Sequence, residues 1–223
     1  MGKQRPVLAA GMALAGIAGG VYRWVMRPKM YAWGGATADE VAAELPGDRL
    51  VAPGGPRTTR AITIDAPVEE VWPWLVQIGE NRGGFYSYDV LERLVGARIR
   101  NADVIHPQWQ ELQVGDTVWL AQRYGHSARQ VVAEVEPMSH LVLMSPPDYQ
   151  RMHRGEKASG AWAFYLIPQG GQTRLVARGS GGPVGQSAFD IVHFVMERGM
   201  LRGIRRRAQS ARADVRPVSL PPR

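Results

Sequence analysis

The chain has 223 residues, 45% of them hydrophobic and 21% charged, which suits one globular domain with an appendage and excludes wholesale disorder. It contains no cysteine, so a disulfide scaffold, a thiolate zinc site and a cysteine nucleophile are all excluded. The formal net charge of +7 is unevenly spread: residues 1–33 hold five basic groups and no acid, residues 196–223 hold eight arginines against Glu197 and Asp214, and the stretch between them holds 14 basic against 18 acidic groups. A mildly acidic body with basic ends argues against a nucleic-acid partner, because such a binder presents a basic face with interleaved readout residues.

From Val7 to Tyr22 no residue is charged, and extension to Met26 admits only Arg23. About twenty helical residues span the roughly 30 Å hydrocarbon core of a bilayer. No convincing A-x-A cleavage site follows the apolar run before the Arg-rich flank. Residues 1–29 are therefore expected as a retained single-pass membrane anchor acting through residues 7–26, with the rest of the chain on the cytoplasmic side. A cleaved signal peptide and a soluble or surface-lying helix are the competing readings. Residues 30–57, punctuated by Gly34-Gly35, Pro46-Gly47 and Pro53-Gly54-Gly55-Pro56, are expected as a linker.

Order is expected from residue 58. The β-branched, alternating run 58–65 predicts a strand. Residues 68–79 predict a helix: Pro67 suits its first position, Glu69 and Glu70 its positive end and Gly79 its stop, while Val68, Val71, Trp72, Leu75 and Ile78 share one apolar face. Pro73 is expected to kink it. A Gly/aromatic loop follows over 80–88, then a short helix near 89–95. Strands are predicted at 117–121, 130–135, 141–144, 161–167 and 173–178, with a long, polar, mobile link over 145–159. Residues 186–212 predict one long amphipathic helix, with Phe189, Val192, Met196, Met200, Ile204, Ala208 and Ala211 on its apolar side and Arg198, Arg202, Arg205, Arg206 and Arg212 opposite. Gly199 and Gly203 weaken that helix and admit a bend or close backbone approach. The last residues, 214–223, are expected to be a disordered tail. Helices segregated from a run of antiparallel strands imply an α+β layer fold: a curved antiparallel sheet wrapped around the long C-terminal helix, with an apolar pocket between them.

That order, the passage Ile62-Thr63-Ile64-Asp65-Ala66-Pro67 with Val71-Trp72, and the closing helix resemble the START/Bet v 1-like (SRPBCC) superfamily, the helix-grip fold of polyketide cyclase/dehydrase and lipid transport proteins. Trp74-Leu75-Val76-Gln77-Ile78-Gly79, Arg82-Gly83-Gly84-Phe85-Tyr86-Ser87-Tyr88-Asp89 and Gly115-Asp116 point to a narrower bacterial subgroup. The resemblance covers roughly residues 58–212, with the helix-grip domain expected over 58–213. It implies a cavity for a hydrophobic ligand and leaves catalysis open, since the superfamily holds both carriers and enzymes.

The five histidines are dispersed, with no H-x-x-x-H, H-x-H or H-E-x-x-H spacing, so neither a metal nor a cofactor is expected. Ser180 follows Arg178-Gly179 and does not fit a G-x-S-x-G nucleophile elbow, and the surrounding glycines fit neither a P-loop nor a dinucleotide turn. Residues expected to contact a ligand are Trp74, Arg82, Phe85, Tyr86, Tyr88, Trp119, Trp162, Arg178, His193 and Met196. For acid–base chemistry the candidates are Tyr86, Asp89, Asn101, Gln110, Arg178 and His193. The expected function is membrane-anchored binding or carriage of a hydrophobic small molecule or lipid. The alternative is a polyketide cyclase/dehydratase-like enzyme using a pocket Tyr, Asp or His as general acid or base.

Overall fold

The computed structural model describes residues 34–88, 99–182, 184 and 187–215. Strand β1 (Arg57–Ile64) leads through Ala66-Pro67 into helix α2 (Val68–Val76), preceded in the chain by the short helix α1 (Ala38–Ala42). Strands β2 (Thr117–Trp119), β3 (Arg129–Glu136) and β4 (His140–Met144) follow, then α3 (Pro146–His153), β5 (Gly160–Gln169), β6 (Gln172–Gly181) and the 29-residue helix α4 (Ser187–Val215). The six strands form one sheet in the order β1-β6-β5-β4-β3-β2, and every neighbouring pair is antiparallel.

Alternation along the strands splits the sheet into two faces. Ile64, Val132, Leu141, Leu143, Phe164, Leu166, Leu175 and Ala177 face α2 and α4, where Val71, Leu75, Met200, Leu201, Ile204 and Ala208 complete the main core. Ala61, Ala133, Val142, Met144, Ala163, Tyr165 and Val176 face the other way and pack under Leu45, Leu50, Val51, Tyr149 and Met152. The stretch read as a linker thus supplies apolar cover for the second face. Arg178, on that face, donates to Glu40 O (2.5 Å) and Ala43 O (2.8 Å) at the end of α1 and to Asp48 (2.5 Å). Arg174 grips the Glu40 carboxylate with two nitrogens.

Two expectations change. Where a mobile link was expected over 145–159, α3 forms: Ser145 caps it by accepting from Asp148 N, Pro146 and Pro147 occupy positions that need no donated hydrogen bond, and Asp148 occupies the first turn. The expected short helix near 89–95 and the tail beyond 215 lie outside the described residues. So does the apolar segment 7–26, and the expectation of a single-pass membrane protein with an N-terminal transmembrane helix is corrected. Among the described residues no helix is long and apolar enough to cross a membrane, since α4, long enough by count, carries Glu197, Arg198, Arg202, Arg205, Arg206 and Arg207.

Candidate functional site

Between the sheet and α4 lies a cavity of about 500 Å³ with mostly apolar walls. It sits where the β5–β6 pair runs short of side chains: Gly160, Gly179, Gly181 and Gly182 line it, while Phe164, Leu166, Leu175 and Ala177 fill the core farther along the same strands. Phe85, Ile99, Leu120, Trp162, Met196 and Met200 supply the apolar remainder. Such a volume lies within the range of small-molecule sites.

One wall carries charge. Glu197, on α4, is 2% exposed and lines the cavity. Its Oε2 pairs with the Arg60 guanidinium from β1, and its Oε1 accepts from Trp162 Nε1 at 2.7 Å. Arg60 also reaches His193 Nδ1 at 3.3 Å and lies 5.2 Å over the Phe194 ring. A guanidinium can only donate, so Nδ1 is the acceptor and neutral His193 carries its proton on Nε2, which faces Glu197 Oε1 at 3.7 Å. Burial disfavours the imidazolium; Glu197 pulls the other way with help from Asp190, yet burial together with Arg60 holds His193 below its ordinary pKa. Burial pushes Glu197 up, but His193, Arg60 and the Trp162 hydrogen bond outweigh it and keep the carboxyl below its usual range.

Four residues expected from the sequence converge on this cavity: Phe85, Trp162, His193 and Met196. The other six lie elsewhere. Trp74 packs edge-on against Tyr86 with ring centroids 5.9 Å apart, inside the core. Tyr86 is 1% exposed with its hydroxyl accepting from Gln77 (2.9 Å), Arg207 over its ring (4.7 Å), and a pKa pushed up to about 12 chiefly by burial. Arg82 donates to Trp109 O, Tyr88 is exposed, Trp119 stacks under Arg129, and Arg178 is buried on the opposite face of the sheet. Among the acid–base candidates, Asn101 accepts from Tyr86 N, Gln110 joins the Gln77 network, and Asp89 lies outside the described residues. Of the described members of that set, only His193 lines the cavity.

Glu197 and Arg60 escaped the sequence reading. The signal was present in part: Arg60 takes an inward position of β1 together with Thr58, Ile62 and Ile64, and Glu197 stands four residues after His193. No three-member cluster of metal-ligating side chains occurs among the described residues.

No protein-family model and no curated protein matches the chain. Solved structures do. The antiparallel sheet closed by a long C-terminal helix is a helix-grip architecture. The chain is similar to a protein from Nitrosomonas europaea, at 13% identity over 75% of this chain and 99% of that one, with a TM-score of 0.44. It is also similar to a Polyketide_cyc-like protein from Corynebacterium glutamicum (18% identity, 74% and 86% covered, TM-score 0.32). A third is the self-sacrificing resistance protein CalC from Micromonospora echinospora (12% identity, 70% and 96% covered, TM-score 0.40). The polyketide-cyclase type to which the sequence shows a resemblance is thus represented among them. These overlaps are partial, and the architecture rests on the strand order, the register and the position of α4.

Proposed function

We propose that this protein binds a hydrophobic small molecule between the sheet and α4. The observation that supports it is the cavity itself, about 500 Å³ of mostly apolar space beside the main core. The full-length protein, purified under native conditions and extracted with organic solvent, is expected to release an apolar molecule near one equivalent by mass spectrometry. It is also expected to bind the uncharged fluorophore N-phenyl-1-naphthylamine saturably. Met196→Trp, which places an indole in the cavity, removes both signals while circular dichroism stays native. Absence of both extract and saturable fluorophore binding in the wild type overturns the reading.

A second reading has its own observation: His193 and Glu197, both titratable, face one void. In an enzyme of the cyclase/dehydratase type, neutral His193 is the group that exchanges a proton with the bound molecule, and Glu197, fixed by Arg60 and Trp162, orients the ring. A binder releases its ligand chemically unchanged. An enzyme converts it, and His193→Gln then returns the molecule unconverted.

A further inference from the structure

We propose that the cavity selects uncharged ligands over anionic ones, an inference that rests on the ligand-binding reading above. Among the described lining residues the ionisable side chains are Asp148, His193 and Glu197, two carboxylates and an imidazole. Arg60, beside His193, is committed to Glu197. Asp148 forms no ion pair among the described residues; its oxygens accept from Ser159 N (2.7 Å), Ser159 Oγ (2.8 Å) and Ser145 Oγ (2.8 Å), all neutral dipoles. Arg60 and Glu197 pair with each other, which leaves Asp148 as the lining carboxyl group without a cation partner among the described residues. A ligand carboxylate entering this space gives up its hydration, finds no uncommitted cation among the described lining residues and faces a like charge in a medium of low dielectric. The lining also includes the uncharged polar residues Ser127, Gln130, Ser145 and Ser180. Beside Gly179, the Thr58 hydroxyl is buried without a hydrogen-bond partner among the described residues. These groups suit an alcohol, ketone, ester or amide on an otherwise apolar molecule.

The test uses the full-length protein at pH 8 and competition against bound N-phenyl-1-naphthylamine. 1-Decanol is expected to displace the fluorophore at least tenfold more effectively than decanoate. In Asp148→Asn that ratio is expected to narrow at least threefold. Decanoate competing as well as decanol overturns the selectivity, and so does a ratio that Asp148→Asn leaves unchanged. Where Asp148→Asn does not fold, decylamine replaces it: this cation is expected to outcompete decanoate tenfold, and equal competition overturns the proposal. Failure of the fluorophore itself to bind is a different result, which removes the cavity reading and the selectivity with it.

Discussion

Glu197 shows how one side chain carries both stability and site chemistry. A carboxylate this deep is tolerated because Arg60, 137 residues away in the chain, pairs with it and Trp162 donates to its second oxygen. Glu197→Ala leaves Arg60 buried and unpaired, and is expected to lower unfolding stability by about 3–5 kcal/mol in urea titrations. The double variant Arg60→Met, Glu197→Leu is expected to recover most of that loss, since it removes both charges. Acid acts on the same cluster. His193 titrates below 6.5 when folded and Glu197 below 4.5, so in both cases the unfolded chain binds the proton more readily. The His193 contribution is complete above pH of about 6.5 and is lost as pH falls through its lowered folded value; the Glu197 contribution follows the same course from about 4.5 downward. The urea midpoint is therefore expected to decline from pH 7 to 5, and His193→Gln to flatten that decline. A midpoint that rises on acidification across this interval contradicts the assignment.

At the scale of the element, α4 and the Gly/aromatic loop explain each other. Gly199 and Gly203 lie one turn apart, and a Cβ on Gly203 would overlap Tyr86 O, while one on Gly199 would press on Ser87 and Tyr88. These glycines let the loop backbone lie directly on the helix, and Ser87 Oγ adds a hydrogen bond to Met196 O (2.9 Å). Tyr86 takes a left-handed backbone conformation, φ 57°, and is held in it by Asn101, Gln77, Trp74 and Arg207. On an exposed helix Gly→Ala gains about 1 kcal/mol. Gly203→Ala is expected to reverse that sign and cost about 1–3 kcal/mol by overpacking, measured by thermal unfolding. A stabilised Gly203→Ala refutes the close contact. The helical period of α4 is visible in sequence, and Met200, Ile204 and Ala208 of the expected stripe are buried, yet the buried face also takes in Phe194, Glu197 and Leu201, and Val192 on that stripe is 54% exposed. A glutamate in such a pattern reads as solvent-facing until its partner is known.

Across the whole molecule, the sheet needs cover on both faces, and its two covers differ in kind. α2 and α4 close one face and leave the cavity, which Ser145 and Asp148 at the start of α3 also line, whereas residues 34–51, with Tyr149 and Met152 of α3, cover the other. Arg178 is the main polar tie of that second cover: it satisfies carbonyls at the end of α1 that the helix cannot satisfy itself, and it neutralises Asp48. Tyr165 adds a hydrogen bond to Pro46 O at 2.7 Å. Arg178→Lys keeps the charge but loses the planar fork that reaches several acceptors at once. It is expected to release residues 34–51 to limited proteolysis while the cavity still binds N-phenyl-1-naphthylamine. Protection equal to the wild type contradicts this role.

The period of the strands, the Pro67-initiated helix and the long terminal helix were all legible in the amino-acid order, because each depends on residues near one another in the chain. The α+β layout followed from them. Local order also held the capping signal of α3, in Ser145 followed by prolines that the first helical turn accepts, although a mobile link is expected there. What sequence could not assign is which polar residues share a space. Arg60 meets Glu197, Arg178 meets Asp48 and Asp148 meets Ser159 through chain crossings that no local period encodes. Burial makes charge tolerable only where a partner arrives from elsewhere, so the cavity and the character of its walls were decided by tertiary packing alone.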